Sequence, residues 1–284
     1  MTYRECYEKG CHILNEAGIE ESTLDARLLL EAVCGTDRND LLAHGEQPVM
    51  SQAEEKYLNW IRQRAEHIPL QQLTGEQDFM GLTFSVNEHV LIPRQDTEIL
   101  VEEVLKELHD RMRILDMCTG SGCILLSLLH YSNDCEGLGV DLSAEALEVA
   151  ERNVLKVLTP EKAEHAHFLQ SDLFEKVEGK FEIIVSNPPY IASAEVEKLM
   201  PEVRDHEPRM ALDGTEDGLH FYRRIIKEAG KHLVNSGMLF FEIGYDQGQA
   251  VSELMRTGGY REVQVVQDYA GLDRVVLGTY CERN

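Results

Sequence analysis

The stretch RILDMCTGSGCILLSLLH, residues 113–130, decides how the rest of the chain is read. A short apolar run, 113–117, ends in Asp116-Met117. Gly120 and Gly122 follow within five residues, and an apolar segment interrupted only by Ser127 runs from Ile124 to Leu129. The period suits a buried strand, a tight turn, and a helix packed back on the strand. Glycines at such a turn let the backbone bend sharply and approach a ligand closely. The third glycine of a dinucleotide fingerprint would fall at Leu125, so the loop is a G-x-G without its last member. Alone it is compatible with an ordinary strand-to-helix turn.

Downstream, further runs at 137–140, 167–170, 181–186, 238–243, 262–267 and 274–279 read as strands. The first five strands are separated by segments of helical length, the clearest at 143–156. This alternation predicts an α/β fold: an open, mainly parallel, Rossmann-like sheet with helices on both faces. A short Ala270-Gly271 turn joins the last two strands, which predicts an antiparallel edge hairpin.

Upstream, residues 1–73 read as helical. Leu24, Leu28, Leu29 and Val33 recur at helical spacing behind a Ser22 or Thr23 cap, and a second helix spans 51–64. Residues 74–93 change character. Phe79, Leu82 and Phe84 alternate loosely, and Asn87-Glu88 divides the segment, so a β-hairpin linker is expected there. Asp96 or Thr97 is expected to cap the following helix. The domain reading is therefore 1–73 helical, 74–93 linker, and 94–284 the sheet domain.

The 284 residues carry a net charge of −24, and residues 1–73 hold six more acidic than basic residues. Such acidity argues against a nucleic-acid binder, which normally shows a basic footprint. No apolar run approaches the roughly 18 residues of a membrane helix. MTYRECYEKG lacks the apolar core of a secretory signal. The seven cysteines include no C-x-x-C pair. Reduced thiols in a cytoplasmic protein are expected, without a metal site. Cys118 and Cys123 flank the glycine loop without a histidine base close in sequence, and read as packing residues.

Ligands of open α/β sheets bind at the C-terminal ends of the strands. Four features fall there. The glycine loop follows the first strand. Asp141 ends the second, 21 residues after Gly120, where a carboxylate suits a ribose. Ser143 can cap the next helix, which leaves Asp141 free. Ser171-Asp172-Leu173-Phe174 follows the third and offers an acceptor with apolar neighbours, as an adenine requires. Asn187-Pro188-Pro189-Tyr190 follows the fourth. Two prolines remove two N–H donors, so carbonyl oxygens and the Asn187 side chain dominate. Such acceptors can take both hydrogens of a planar NH2 group, and Tyr190 can stack on the attached π-system. Holding both hydrogens turns the delocalised nitrogen lone pair toward an electrophile. The methyl sulfonium of S-adenosylmethionine is consistent with an acidic, aromatic-edged pocket. Methyl transfer is favoured over hydride transfer, and no separate general base is required.

With these residues in place, the chain resembles the HemK/PrmC family of protein-glutamine N5-methyltransferases that modify peptide chain release factors. The resemblance runs through nearly the whole length. It includes Leu91-Ile92-Pro93-Arg94-Gln95-Asp96-Thr97-Glu98, the 119–122 loop, Asn187–Ile191, Glu207-Pro208-Arg209 with Ala211-Leu212-Asp213-Gly214, and Glu242-Ile243-Gly244. It implies a class I methyltransferase fold and methylation of the glutamine in a Gly-Gly-Gln motif, with S-adenosylhomocysteine as product. By the same resemblance, Cys118, Thr119, Gly120, Ser121, Gly122, Asp141, Leu142, Asp172, Leu173 and Asn187 hold the cofactor. Asn187, Pro188, Pro189 and Tyr190 clamp the glutamine, and the helical region helps dock the release factor. Cys118 stands where the family usually has glycine, and Leu173 where some relatives have an aromatic residue. Asn-Pro-Pro-Tyr alone is shared with enzymes that methylate adenine N6 or guanine N2 of nucleic acid. Those remain the alternative, and a catalytically silent adaptor is a third reading.

Overall fold

The computed structural model describes residues 1–282; the last two residues of the expected 94–284 domain lie outside the described residues. The chain forms two compact units, residues 1–75 with 200–206, and residues 76–199 with 207–284.

The first unit is helical. Its helices are Tyr3–Glu16, Ser22–Cys34, Arg38–Ala43, Ser51–Ala65, Leu70–Thr74 and, from far later in the chain, Pro201–His206. Thr2 and Glu5 form a reciprocal capping box on the first helix. The second helix begins at Ser22, but no side chain caps it. Cys6, Leu14, Leu29, Leu30, Tyr57 and Ile61 form its buried core. Gly10 is the point of closest approach: a Cβ there would lie 2.0 Å from the Tyr57 hydroxyl oxygen. That hydroxyl donates to the Ala26 carbonyl, 3.2 Å. Buried Arg64 donates to Asp25, 2.7 Å, and to Glu202, 3.1 Å, which ties the 201–206 helix into this unit.

The second unit carries the strands β1 Glu76–Phe79, β2 Leu82–Ser85, β3 Arg113–Met117, β4 Glu136–Asp141, β5 Ala166–Gln170, β6 Phe181–Ser186, β7 Leu233–Glu242, β8 Tyr260–Gln267 and β9 Asp273–Tyr280. β1 and β2 form a separate hairpin. Its turn is Met80-Gly81, both in the left-handed region, and not the expected Asn87-Glu88. Two consecutive residues with positive φ match the twist of a two-residue hairpin, which Met80 tolerates and sequence alone does not advertise. The remaining strands form a seven-stranded sheet in the order β5-β4-β3-β6-β7-β9-β8. β3 to β7 pair in parallel; β9 runs antiparallel to both β7 and β8. This is the expected mainly parallel sheet with an antiparallel edge, the class I methyltransferase fold. β7 begins five residues before its expected start.

Strand order reverses between β3 and β6, so a crevice opens at their C-terminal ends. The two strands are in register to the last pair, Met117 opposite Ser186. Inside, Ile114, Ile183, Val185 and Phe240 pack with the apolar face of the 123–131 helix on one side of the sheet. Leu115, Ile184, Leu239 and Phe241 pack with Tyr222 and Ile225 on the other. Among the described residues no helix is long and apolar enough to cross a membrane.

Gly10→Ala should overpack the helical unit against Tyr57 and lower its stability by roughly 1–3 kcal/mol, read by urea denaturation. An unchanged midpoint would show that the helices separate freely at this crossing.

Candidate functional site

The loop after β3 is built from left-handed residues. Cys118, Gly120 and Gly122 have φ of 63°, 54° and 78°. Cys118 therefore holds a conformation that favours glycine, at a cost of about 1 kcal/mol. Backbone bonds from Thr119 N–H to the Val140 carbonyl, 3.0 Å, and from Gly122 N–H to the Thr119 carbonyl, 2.9 Å, fix the loop. A fully buried Asn153 anchors it from behind. Its amide donates to the Ser121 carbonyl, 2.9 Å, and the Ser85 carbonyl, 3.0 Å, and accepts from Ser85 N–H, 2.7 Å. One side chain thus joins the glycine loop to β2.

Asp116 lies beneath the loop, fully buried, and accepts from the Thr119 hydroxyl at 2.6 Å. Burial pushes its carboxyl up to about 7, against the opposing pull of the Thr119 and Leu125 hydrogen bonds. Burial also pushes the Cys118 thiol up, and that of Cys123 to about 12. Both stay protonated, which agrees with their reading as packing residues.

Asp141 is less free than its spacing suggested. Ser143 does cap its helix, accepting from Ala146 N–H at 3.0 Å. Asp141 nevertheless accepts from Ser143 N–H, 3.0 Å, through one oxygen, and from Gly120 N–H, 2.9 Å, through the other. The left-handed turn leaves the Gly120 amide without a backbone acceptor, and Asp141 supplies one. Each oxygen keeps a second lone pair for a ligand. Asp172 pairs with Arg224 at 2.9 Å, and Leu173 sits at φ 49°.

A cavity of about 210 Å³ joins these groups. Cys118, Thr119, Gly120, Ser121, Asp141 and Leu142 line one end, with Asp172, Leu173, Asn187 and Pro189. Gly122 is not in the wall. It lies behind the loop, where a Cβ would come within 3.2 Å of the Ala150 Cβ. Pro188 is buried outside the wall, and Tyr190 turns away from the cavity. The Tyr190 hydroxyl donates to buried Glu242, 3.3 Å, and its carbonyl accepts from Gln247, 2.9 Å.

The Asn187 amide nitrogen donates to the Thr97 hydroxyl oxygen, 3.4 Å. Its own carbonyl oxygen is thereby left for the cavity. Thr97 is buried in the first turn of the Asp96–Glu107 helix and does not cap it; nor does Asp96, which pairs with Arg274 at 3.1 Å. Pairing across the sheet outweighs the local cap at both positions.

Beyond Tyr190 the chain departs and returns. Ile191 N–H donates to the Leu212 carbonyl, 3.0 Å, and Gly214 N–H to the Ile191 carbonyl, 2.8 Å. This brings Pro208, Met210, Ala211 and Asp213 against the cavity. Gly214 is required there, because a Cβ would sit 2.8 Å from the Tyr190 Cα and 2.9 Å from the Pro189 carbonyl. Arg94, in the cavity wall, donates to buried Glu207 at 2.5 Å and fixes the strap where it begins. Arg94, Thr97 and the strap belong to motifs quoted above, but their spacing alone gives no hint of which cavity they meet. Among the described residues no cluster of histidine, cysteine or carboxylate side chains could hold a metal.

Comparison with known proteins extends this geometry. Residues 5–75 match the family model described as the PrmC N-terminal domain, and residues 94–203 match the methyltransferase small domain. The chain is 40% identical over 281 residues to a release factor glutamine methyltransferase of Clostridium acetobutylicum, covering 98% of each protein. It is 43% identical over 281 residues to one of Moorella thermoacetica, again covering 98% of each. Among solved structures, a methyltransferase from Pyrococcus furiosus shares the fold, with a TM-score of 0.52 at 16% identity. The match covers 82% of this chain and 100% of that one.

Because Asp116 keeps its proton when folded at pH values where the unfolded chain has lost it, its contribution to stability falls as pH rises from about 4 to about 7. Asp116→Asn removes this dependence. Its melting temperature relative to the native chain should therefore climb between about pH 5 and about pH 8. A difference independent of pH would contradict the assignment.

Proposed function

The chain belongs to the release factor glutamine methyltransferase family, and on that premise we propose that it methylates the N5 side-chain amide of the glutamine in the Gly-Gly-Gln motif of peptide chain release factors, using S-adenosylmethionine. The observation that carries the reading is the orientation of Asn187: its NH2 is held by Thr97, and its oxygen is left for the cavity.

The residues present fit S-adenosylmethionine. Gly120 meets nothing within 4 Å where a side chain would project, so the loop admits close approach. The lone pairs left on Asp141 suit ribose hydroxyls, Asp172 and Leu173 the adenine, and Cys118 to Ser121 the amino-acid portion. Gly122 supports the loop from behind. When bound, the cofactor supplies an electrophilic methyl group on a sulfonium.

The chain's own residues act on the amide. The Asn187 side-chain oxygen accepts one of its hydrogens and a backbone carbonyl of the cavity-lining Asn187 or Pro189 the other, and the amide plane is fixed. The nitrogen lone pair then projects toward the glycine loop. Prolines at 188 and 189 bring no N–H that would compete for these carbonyls. Pro189 forms the adjoining wall. Tyr190 supports the clamp through Glu242 and does not stack in the cavity. Fixing orientation in this way accounts for rate gains of several kcal/mol without a base, since the nitrogen sheds its proton after methylation. A nucleic-acid amine would fit the same acceptors. The net charge of −24 weighs against a polyphosphate substrate.

Asn187→Ala should lower turnover of labelled S-adenosylmethionine with a purified release factor by at least about 100-fold, while cofactor affinity stays largely intact. Asp141→Ala should do the reverse, weakening cofactor binding by equilibrium dialysis first. Native turnover in the Asn187 variant would sink the clamp, and label appearing on DNA or RNA in place of the factor would overturn the substrate.

A further inference from the structure

We propose that Arg94 is a substrate-binding residue: its guanidinium donates to the carbonyl oxygen of the side-chain amide whose hydrogens the clamp accepts. The proposal rests on the clamp described above and names a donor for the amide oxygen, which the clamp leaves without one.

A primary amide brings two N–H hydrogens and one strongly accepting oxygen. Enclosed in the cavity, that oxygen is costly to leave without a donor. The wall beside Asn187 is poor in donors. Pro93, Pro189 and Pro208 line it and carry no N–H. The Ala211 and Asp213 N–H groups are taken by the Pro208 and Arg209 carbonyls, 2.9 Å each. The Asn187 NH2 is committed to Thr97. Among the described residues, Arg94 is the only lysine or arginine in the cavity wall.

Arg94 is held from two sides. Its carbonyl accepts from the Thr97 N–H at 3.1 Å, so the turn that carries Arg94 also carries the hydroxyl that holds Asn187. Its Nη2 donates to Glu207 Oε1 at 2.5 Å, where the returning 207–214 segment begins. Glu207 is the only side chain among the described residues that pairs with this guanidinium. A guanidinium carries five N–H donors in a rigid planar fork, so fixing one nitrogen sets the direction of the others. The Arg94 side chain is 40% exposed and that of Glu207 only 1%, so the remaining donors stand on the open side of the pair.

The arrangement selects an amide over its chemical neighbours. Glu207 balances the Arg94 charge, so the pair as a whole does not call for an anion. The corresponding carboxylate would set an oxygen against the Asn187 oxygen, and a simple amine would leave the Arg94 fork without an acceptor. Attack by the nitrogen draws density away from the carbonyl oxygen. The Arg94 contact therefore binds and orients the amide, and the clamp turns its lone pair.

The test uses a short Gly-Gly-Gln peptide, isotopically labelled at the glutamine side-chain carbonyl carbon. It is titrated into the chain with S-adenosylhomocysteine present and followed by NMR. At equal occupancy, the labelled carbon should move downfield with the native chain and with Glu207→Gln, which keeps Arg94. It should stay in place with Arg94→Met. It should also stay in place with Arg94→Met/Glu207→Met, which leaves no buried carboxylate unpaired and so guards against a folding defect. In Arg94→Met, kcat/KM for release factor should fall by about 10- to 100-fold, and affinity for S-adenosylhomocysteine should stay within about two-fold. A native-sized movement in Arg94→Met, or none with the peptide bound to the native chain, would overturn the proposal. So would a loss of S-adenosylhomocysteine affinity of about ten-fold or more, which would place the guanidinium on the cofactor's carboxylate. An Arg94-dependent movement in a chain that transfers no methyl to release factor would uphold the amide site and reject the assigned substrate. Native kcat/KM for release factor in Arg94→Met would do the reverse.

Discussion

The site depends on one registration, the pairing of β3 with β6 at the point where strand order reverses. Met117 lies opposite Ser186, and the Ser186 hydroxyl donates to the Met117 carbonyl at 2.6 Å within the core. Both strands thus end at one level. The glycine loop and the Asn-Pro-Pro-Tyr segment leave from adjacent points. A slip of one residue would reverse every side chain of β6 and carry Asn187 away from the cavity. The apolar packing on both faces of the sheet makes such a slip costly, so the core places the two loops side by side.

Around this registration the remaining contacts divide the work. Asn153 fastens the glycine loop to β2, Asp141 takes up the Gly120 amide, and Gly214 lets the returning 207–214 segment lie against the Pro189 and Tyr190 backbone. Arg94 and Glu207 close the strap over the wall. Buried Glu242 accepts from the Tyr190 hydroxyl at 3.3 Å and holds the end of the Asn-Pro-Pro-Tyr segment. What stays open at the cavity is lone pairs on Asp141, space above Gly120 and the side-chain oxygen of Asn187.

Much of this was legible in the sequence. Parallel strands buried on both faces read as apolar runs, and helices between them read by period, so the sheet and its edge hairpin could be placed. The ends of β3, β4 and β6 carried their chemistry in residues of unusual type. What the sequence concealed was pairing between distant residues. Met80-Gly81 makes the hairpin turn, because a methionine can be held in a conformation that its type does not announce. Thr97 and Asp96 look like caps but serve partners across the sheet. Gly122 resembles a ligand contact and instead allows the helix to pack on Ala150. The 200–206 segment joins the helical unit through Arg64, and nothing local to it signals that. Glu242 reads as the polar end of a strand, and only its burial against the Tyr190 hydroxyl shows what it holds.

The central claim is that the clamp delivers a glutamine side-chain amide to a methyl donor. The most direct measurement is to incubate the chain with S-adenosylmethionine carrying a trideuterated methyl and a release factor, then map the label by tandem mass spectrometry. The account predicts the label on the side-chain amide of the Gly-Gly-Gln glutamine, and none when that motif is Gly-Gly-Ala. Label on another residue, or label that survives the alanine change, would contradict it.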